Sequence, residues 1–313
     1  MKQLSFDELT DQMMNLYRER KYADAFQIVE QNADHFPEQS ARTTFWKMCL
    51  LSLCGRADDV MSVFQQGLDS GLWWAERQFQ DTDLNAVRDL PEFQRLVDVS
   101  LEKYRQAQRS IRPERALMMP DVYESTLPLL IALHGGGGNK ESNLEEWDVA
   151  RQRGWLVLSP QSTHSIFPNA YWWADDLEQR IRDIQIHFEE ILQNYPIDLA
   201  RIVTVGISQG SGMAIYTALS GKIPARGFIS VAIGWPGFSG FAALAAQAGN
   251  VRGYFVIGEK DHTMQSAREI QTILRNHKFD FAEEVHPDLG HEFPTDFGTS
   301  FDKAIDFIFK EHE

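Results

Sequence analysis

A serine flanked by two glycines lies in the middle of the chain and has the surroundings of a nucleophile. Gly206-Ile207-Ser208-Gln209-Gly210 reads G-x-S-x-G. The β-branched run 201–205 precedes it and predicts a buried strand, and the apolar run 213–219 follows it and predicts a packed helix. A serine at a sharp strand-to-helix turn is held out at the top of a sheet. This context predicts that Ser208 is a catalytic nucleophile.

A serine nucleophile needs a base, and the base needs an acid that orients it. The strand predicted over 252–257 runs directly into Gly258-Glu259-Lys260-Asp261, which puts Asp261 at the carboxyl end of a strand. His291 follows the last predicted strand, 281–285, in a loop. We therefore expect Asp261 to be the acid, with Glu259 as the alternative, and His291 to be the base.

A glycine-rich loop, His134-Gly135-Gly136-Gly137-Gly138-Asn139, follows the apolar run 127–133. No Lys-Ser/Thr pair follows as a phosphate-binding loop requires, and the G-x-G-x-x-G spacing does not open a helix here. The loop is typical instead of the H-G-G-G oxyanion loops, whose backbone N–H groups stabilise a tetrahedral anion. We expect the donors to be the N–H of Gln209 and that of either Gly135 or Gly136. His134 is expected to brace the turn.

Aromatic side chains near the predicted strand ends are candidates for the wall of a substrate pocket. The alternative is that they pack the ends of the sheet. His286, Asp288 and His291 are too loosely spaced to predict a metal site. His187 is expected on the exposed side of its helix. The side chains expected to bind substrate are Trp172, Trp173, Trp235, His262 and Phe293.

The elements that must position these residues alternate between strand and helix patterns from residue 116 onward. This alternation predicts an α/β fold with a mainly parallel sheet covered by helices on both faces. The chemistry of such sheets lies at the carboxyl ends of the strands, where the motifs above are found. The strands are predicted over 116–120, 127–133, 155–158, 201–205, 227–233, 252–257 and 281–285, and the helices over 176–195, 213–219, 241–248, 267–276 and 301–309.

The first 105 residues carry helical patterns with an internal echo at 34 residues. Lys21-Tyr22-Ala23-Asp24-Ala25-Phe26 aligns with Gly55-Arg56-Ala57-Asp58-Asp59-Val60. This period resembles about two degenerate tetratricopeptide repeats, and a generic helical bundle is the alternative. We expect a helical domain over 1–105, a polar linker over 106–115 and a catalytic domain over 116–313.

Composition limits the partners and the compartment. The 313 residues carry a formal net charge of −15, with a pI near 5.0, which argues against nucleic acid or an anionic membrane as a partner. The two cysteines, Cys49 and Cys54, give no disulfide framework. No apolar run is long enough to span a membrane, and the first residues do not read as a signal peptide. We expect a cytoplasmic protein.

Residues 116–313 resemble the α/β-hydrolase superfamily, and are most similar to its phospholipase/carboxylesterase and dienelactone-hydrolase-like groups. The resemblance rests on four motifs in order: 134–139, 206–210, 258–261 and Gly290-His291. It departs at Ser211, where these esterases often have a second glycine. The resemblance implies a Ser-His-Asp hydrolase that cleaves a small-molecule ester or thioester through an acyl-enzyme, without metal or organic cofactor.

Two other interpretations stay open at this point. A serine peptidase of the prolyl-oligopeptidase type normally carries a β-propeller, which the helical segment does not offer. A scaffold protein would use the helical domain to bind a protein partner and would keep a vestigial hydrolase domain. The complete set of Ser208, Asp261 and His291 argues against the scaffold.

Overall fold

A computed structural model describes residues 4–122, 125–173, 176–234 and 240–310 of the chain. It divides into two compact units. The helical unit contains the chain up to Ile111 together with the segment Ser165–Ala170. The sheet unit contains Arg112–His164 and the chain from Tyr171 onward.

The elements have the following bounds. The helices are α1 Phe6–Arg18, α2 Tyr22–Asn32, α3 Ser40–Leu53, α4 Ala57–Asp69, α5 Pro91–Ser110, α6 Lys140–Glu146, α7 Asp148–Gln152, α8 Leu177–Asn194, α9 Gln209–Leu219, α10 Phe241–Gln247, α11 Met264–Asn276 and α12 Phe297–Phe309. The strands are β1 Glu114–Met118, β2 Leu127–Leu133, β3 Leu156–Gln161, β4 Ser165–Phe167, β5 Ala170–Tyr171, β6 Ile197–Ile207, β7 Gly227–Val231, β8 Arg252–Gly258 and β9 Phe281–His286.

The described residues of the sheet unit form one seven-stranded sheet in the order β1-β3-β2-β6-β7-β8-β9. β1 runs antiparallel to β3, and every other neighbouring pair is parallel. The expectation of a mainly parallel sheet is therefore confirmed. Because parallel strands end at the same edge, the residues that follow β2, β6, β8 and β9 lie along one side of the sheet.

Helices cover both faces of this sheet, and the alternation along β2 shows how. Leu129, Ile131 and Leu133 pack on the face that is covered by α8, α9, α10 and α11. Leu130 and Ala132 pack on the opposite face, with α7 and α12. All seven residues of β2 are buried, which explains why its sequence is continuously apolar rather than alternating.

The helical unit repeats its helix pairs at the spacing of the sequence echo. α1 begins at Phe6 and α3 begins at Ser40, 34 residues later, and each is followed by a second helix. Met13, Ala25, Val29 and Leu50 form a buried cluster among the first three helices. The tetratricopeptide identity of these pairs stays a prediction.

The structure differs from the predicted elements at the junction of the two units. α5 continues to Ser110 and β1 starts at Glu114, so helix and strand take up most of the range 106–115 that was predicted as a linker. The sequence analysis did not predict the two short strands β4 and β5 or the helices α6 and α7. No helix among the described residues is long and apolar enough to cross a membrane.

Candidate active site

The predicted nucleophile lies in a strained turn between β6 and α9. Ser208 has φ 55° and ψ −122°, a conformation that is costly for a residue with a side chain. Its N–H donates to the carbonyl of Val231 at the end of β7, which helps to hold the turn. Gly210 is needed because a Cβ there would lie 2.0 Å from the carbonyl oxygen of Leu133. The turn thus presents Ser208 at the carboxyl edge of the sheet.

Asp261 and His291 are hydrogen-bonded to each other. His291 Nδ1 lies 2.9 Å from Asp261 Oδ1 and 3.0 Å from Oδ2. The carboxylate is almost wholly buried, with 1% of its side chain exposed, whereas 26% of the His291 side chain is exposed. An ionised Asp261 accepts the Nδ1–H of a neutral imidazole, and this leaves the Nε2 lone pair of His291 unprotonated.

Thr263 is a member of this group that sequence reasoning missed. Its N–H and its Oγ1 each lie 2.7 Å from Asp261 Oδ1, and its Oγ1 lies 3.4 Å from His291 Nδ1. The signal was available in the sequence, because an aspartate side chain often accepts a hydrogen bond from the backbone N–H two residues further on. Thr263 thus fixes the rotamer of the buried carboxylate.

The glycine-rich loop places two unused donors beside the elbow. The N–H of Gly137 donates to Tyr171, and that of Gly138 donates to Gly135. Among the described residues, neither Gly135 nor Gly136 donates a backbone hydrogen bond. A Cβ on Gly135 would lie 3.7 Å from the Cβ of Ser208, so this part of the loop is next to the serine. The N–H of Gln209 is also without a helical acceptor because Gln209 opens α9.

His134 braces the loop as predicted. Its Nδ1 donates to the carbonyl of Gly135 over 2.9 Å, and its Nε2 accepts from the N–H of Ser162. Its ring packs on Trp173, with centroids 4.7 Å apart. Burial lowers the pKa of His134 to about 4, which keeps the imidazole neutral and outside the acid–base chemistry.

The residues expected to bind substrate separate into two groups. The ring of Trp172 lies against Gly136, because a Cβ on that glycine would be 2.5 Å from its Cζ3. The imidazole of His262 packs at 4.8 Å on that of His291. Trp172 therefore borders the glycine-rich loop, and His262 borders His291. Trp235 lies outside the described residues.

Trp173 and Phe293 are placed differently from the expectation. Trp173 is fully buried in the core, where its Nε1–H donates to the carbonyl of His134 and its backbone N–H donates to the side chain of Gln209. It therefore supports the loop from beneath instead of lining a pocket. Phe293 packs against Trp147 and Phe297, in the cluster on the α12 face.

The serine and the histidine are not hydrogen-bonded in this structure. Among the described residues, Ser208 Oγ has no hydrogen-bond partner, and it points toward Gly234, where a Cβ would lie 2.6 Å from it.

Ser211, at the position where the resemblance departs, is buried, and its hydroxyl pairs with that of Ser230. The extra hydroxyl of α9 is therefore satisfied by a hydroxyl of β7.

Two groups of side chains in the described chain have donor atoms close enough to share a metal ion. Asp261, His262 and His291 form one of them, at the site itself. Cys49, Asp81 and Asp83 form the other, in the helical unit. Burial, together with the two nearby carboxylates, raises the pKa of the Cys49 thiol, which disfavours the thiolate that a metal requires.

Comparisons with known proteins place these features in a fold. Residues 5–108 match the family model described as A/B hydrolase-like, N-terminal domain. Comparison of the sequence with curated proteins gives no match. An uncharacterized protein from Bacillus cereus is similar over 99% of this chain and 100% of its own, with 22% identity and a TM-score of 0.55.

Two further solved structures are similar to this protein over about two thirds of the chain. The Bacillus cereus carboxylesterase is 17% identical over 66% of this chain and 99% of its own, with a TM-score of 0.51. A putative dienelactone hydrolase from Klebsiella pneumoniae is 13% identical over 64% of this chain and 100% of its own, with a TM-score of 0.52. These likenesses show that the chain has an α/β-hydrolase fold, and residues 5–108 match the N-terminal domain of A/B hydrolase-like proteins.

Proposed function

We propose that this protein is a serine hydrolase that cleaves carboxylic esters through an acyl-enzyme. The observation that carries the proposal is the hydrogen-bonded pair of Asp261 and His291, at the sheet edge where Ser208 occupies the strained elbow. An acid, a base and a nucleophile at the carboxyl ends of separate strands are the parts that acyl transfer requires.

In the first step, Ser208 Oγ attacks the ester carbonyl carbon. The hydroxyl rotates away from Gly234, and His291 Nε2 accepts its proton as the Oγ–C bond forms. Hydrogen bonds of this kind often become short only in the substrate complex. Asp261 stabilises the imidazolium through the Nδ1–H bond and stays ionised.

The carbonyl oxygen becomes an anion at this stage and needs donors. The unused N–H groups at Gly135 or Gly136 and at Gln209 would supply them, and each donor of this kind contributes about 3–4 kcal/mol to transition-state stabilisation. Gly135 is the better candidate of the two loop glycines, because it is next to Ser208 whereas Gly136 is covered by the ring of Trp172.

In the second half of the reaction, the tetrahedral anion collapses. The bond from carbon to the leaving oxygen breaks, and the alcohol takes the proton from His291 Nε2. Water then attacks the acyl-enzyme and gives its proton to the same nitrogen, the bond from carbon to Ser208 Oγ breaks, and the serine regains a proton. The same sequence of steps applies to thioesters, because a thiol leaves more readily than an alcohol.

The test is hydrolysis of p-nitrophenyl esters, from acetate to longer acyl chains, by the wild type and by Ser208→Ala. We expect the variant to lose activity by a factor of about 10³ or more. Ser211→Ala is the matched control: it removes a buried hydroxyl from the first turn of α9, directly after the elbow, and that hydroxyl is bonded to Ser230 and not to substrate. Full activity in Ser208→Ala would disprove the assignment.

A further inference from the structure

We propose that Asp261, His262 and His291 form a binding site for a divalent transition-metal ion, of which Zn²⁺ is the best fit, and that the metal switches the active site off. The binding itself follows from the geometry of the three side chains. The inhibition rests on the function proposed above, since it requires His291 to be the base.

The distances between the three donor atoms are close to those in a metal site. Asp261 Oδ1 lies 2.9 Å from His291 Nδ1 and 3.5 Å from His262 Nδ1. All three donor atoms fall within 4.8 Å of one another. Tetrahedral zinc with bonds of about 2.0–2.1 Å separates its ligand atoms by about 3.3 Å. Small rotations of the two imidazoles would therefore complete three bonds.

The site combines a buried anion with accessible nitrogens. Asp261 is buried, whereas 77% of the His262 side chain is exposed, so an ion can reach the group from solvent. The fourth position of a tetrahedral ion would face the same opening and take water. Two imidazoles, one carboxylate and one open position form a donor set that zinc adopts in proteins. The net charge of −15 further favours the approach of cations.

Coordination would block catalysis through the tautomer of His291. A neutral imidazole carries one N–H, which now lies on Nδ1 and donates to Asp261. A metal on Nδ1 requires that proton to move to Nε2. The Nε2–H is then a donor and cannot accept the proton of Ser208, and the carboxylate that orients the base is held by the metal instead. The imidazole of His291 keeps the same number of protons, but its Nε2 can no longer act as a base.

His262 adds the third ligand to the pair formed by Asp261 and His291, so substitution of His262 tests the metal site. Zn²⁺ binding is measured by isothermal titration calorimetry on the full-length wild type, on His262→Asn and on His286→Asn. Ester hydrolysis is measured in parallel across a Zn²⁺ series, with EDTA added at the end. His286 is the matched control, because it lies at the end of β9 and is no part of the group.

We expect the wild type to bind Zn²⁺ and to lose activity reversibly. His262→Asn should bind at least about tenfold more weakly, since loss of outer-sphere partners alone costs 10–100-fold in affinity. His286→Asn should bind like the wild type. Equal affinity in the wild type and His262→Asn, or hydrolysis that is insensitive to Zn²⁺, would overturn the proposal. The protein could instead bind Zn²⁺ in a manner that depends on His262 and yet hydrolyse no ester. That result would support the metal site and contradict the proposed function.

Discussion

At the scale of single residues, Asp261, the proposed acid, is the most tightly held part of the candidate site. Asp261 Oδ1 receives two hydrogen bonds from Thr263 in addition to the contact with His291. A buried carboxylate with three donors has one orientation, which fixes the imidazole in turn. In the proposed mechanism Thr263 is therefore a positioning residue, because it would act on His291 through Asp261.

Thr263→Val should lower kcat/KM at least about tenfold. The substitution keeps the shape of the side chain and removes one hydrogen bond to a charged group, which is worth about 1.5–3 kcal/mol. Thr263→Ser keeps the hydroxyl and should restore most of the activity. The pH profile of kcat/KM distinguishes positioning from a general loss of stability: the apparent pKa of the base should move in Thr263→Val and stay in Thr263→Ser. An unchanged profile and rate in Thr263→Val would contradict the role.

The sequence could predict that Asp261 and His291 come together, because both follow strands that are recognisable as apolar runs. The sequence could not show which of Trp172 and Trp173 is buried, because neighbouring aromatic residues in a loop carry no periodicity that shows which one faces the core.

The prediction for His187 was wrong for a different reason. It was expected to be exposed, but it is 3% exposed because it lies three residues after the buried Ile184, on the same face of α8.

At the scale of elements, the parallel strands position the residues of the candidate site because they end at the same edge of the sheet. β8 delivers Asp261, and β9 delivers the turn that contains His291, so the packing between these two strand ends sets the geometry of the pair. Gly258 closes β8 directly against this turn. A Cβ on Gly258 would lie 2.3 Å from the carbonyl oxygen of Leu289 and 2.6 Å from that of Gly290.

Gly258→Ala should therefore move the 289–290 turn and reduce kcat by at least about tenfold, because a displacement near 1 Å at a reacting group is that costly. Gly290→Ala is the matched control in the same turn. Its added Cβ would meet only Glu292 Oε1, at 3.7 Å, which is an ordinary contact. Comparable kcat values in the two variants would show that this close packing does not position the base.

The strands of the sheet were predictable from composition, whereas several smaller elements were not. β2 is a run of buried apolar residues, and α8 has a clear apolar stripe. β4 and β5 contain two or three residues each, too few for an alternating pattern. α6 is polar except for Leu144, and it begins with a capping box at Asn139, a signal that the sequence contained and that was not used.

At the scale of the whole molecule, two units were predictable because the pattern changes from helical periodicity to alternating strands and helices. The segment Ser165–Ala170 was not, since it groups with the helical unit although it lies far along the chain. The Ala75 N–H donates to the Ile166 carbonyl within that unit. A contact between residues so distant in sequence has no local signal. A protein partner for the helical unit stays a prediction.

Global stability should fall as the solution becomes acidic. Burial lowers the pKa of both His134 and His187 to about 4, below the ordinary value of about 6.5. Between these values the unfolded chain binds more protons than the folded one, so the free energy of unfolding decreases as the pH falls from 6.5 toward 4. His134 alone should contribute about 2 kcal/mol of this loss between pH 7.5 and 5.

Urea unfolding at pH 7.5 and pH 5 tests this prediction. His134→Asn, which retains a donor for the Gly135 carbonyl, should lose about 2 kcal/mol less than the wild type over that interval. His277→Asn removes an exposed histidine and should behave like the wild type. A pH dependence in His134→Asn as steep as that of the wild type would show that His134 does not titrate in this way.

The central claim is that Ser208 is an activated nucleophile, and covalent labelling tests it most directly. The full-length protein is treated with a fluorophosphonate, and the adduct is located by intact-mass and peptide mass spectrometry. The account predicts one adduct on Ser208, formed faster in the wild type than in His291→Ala and absent from Ser208→Ala. A wild-type protein that stays unlabelled, or that is labelled at another residue, would contradict it.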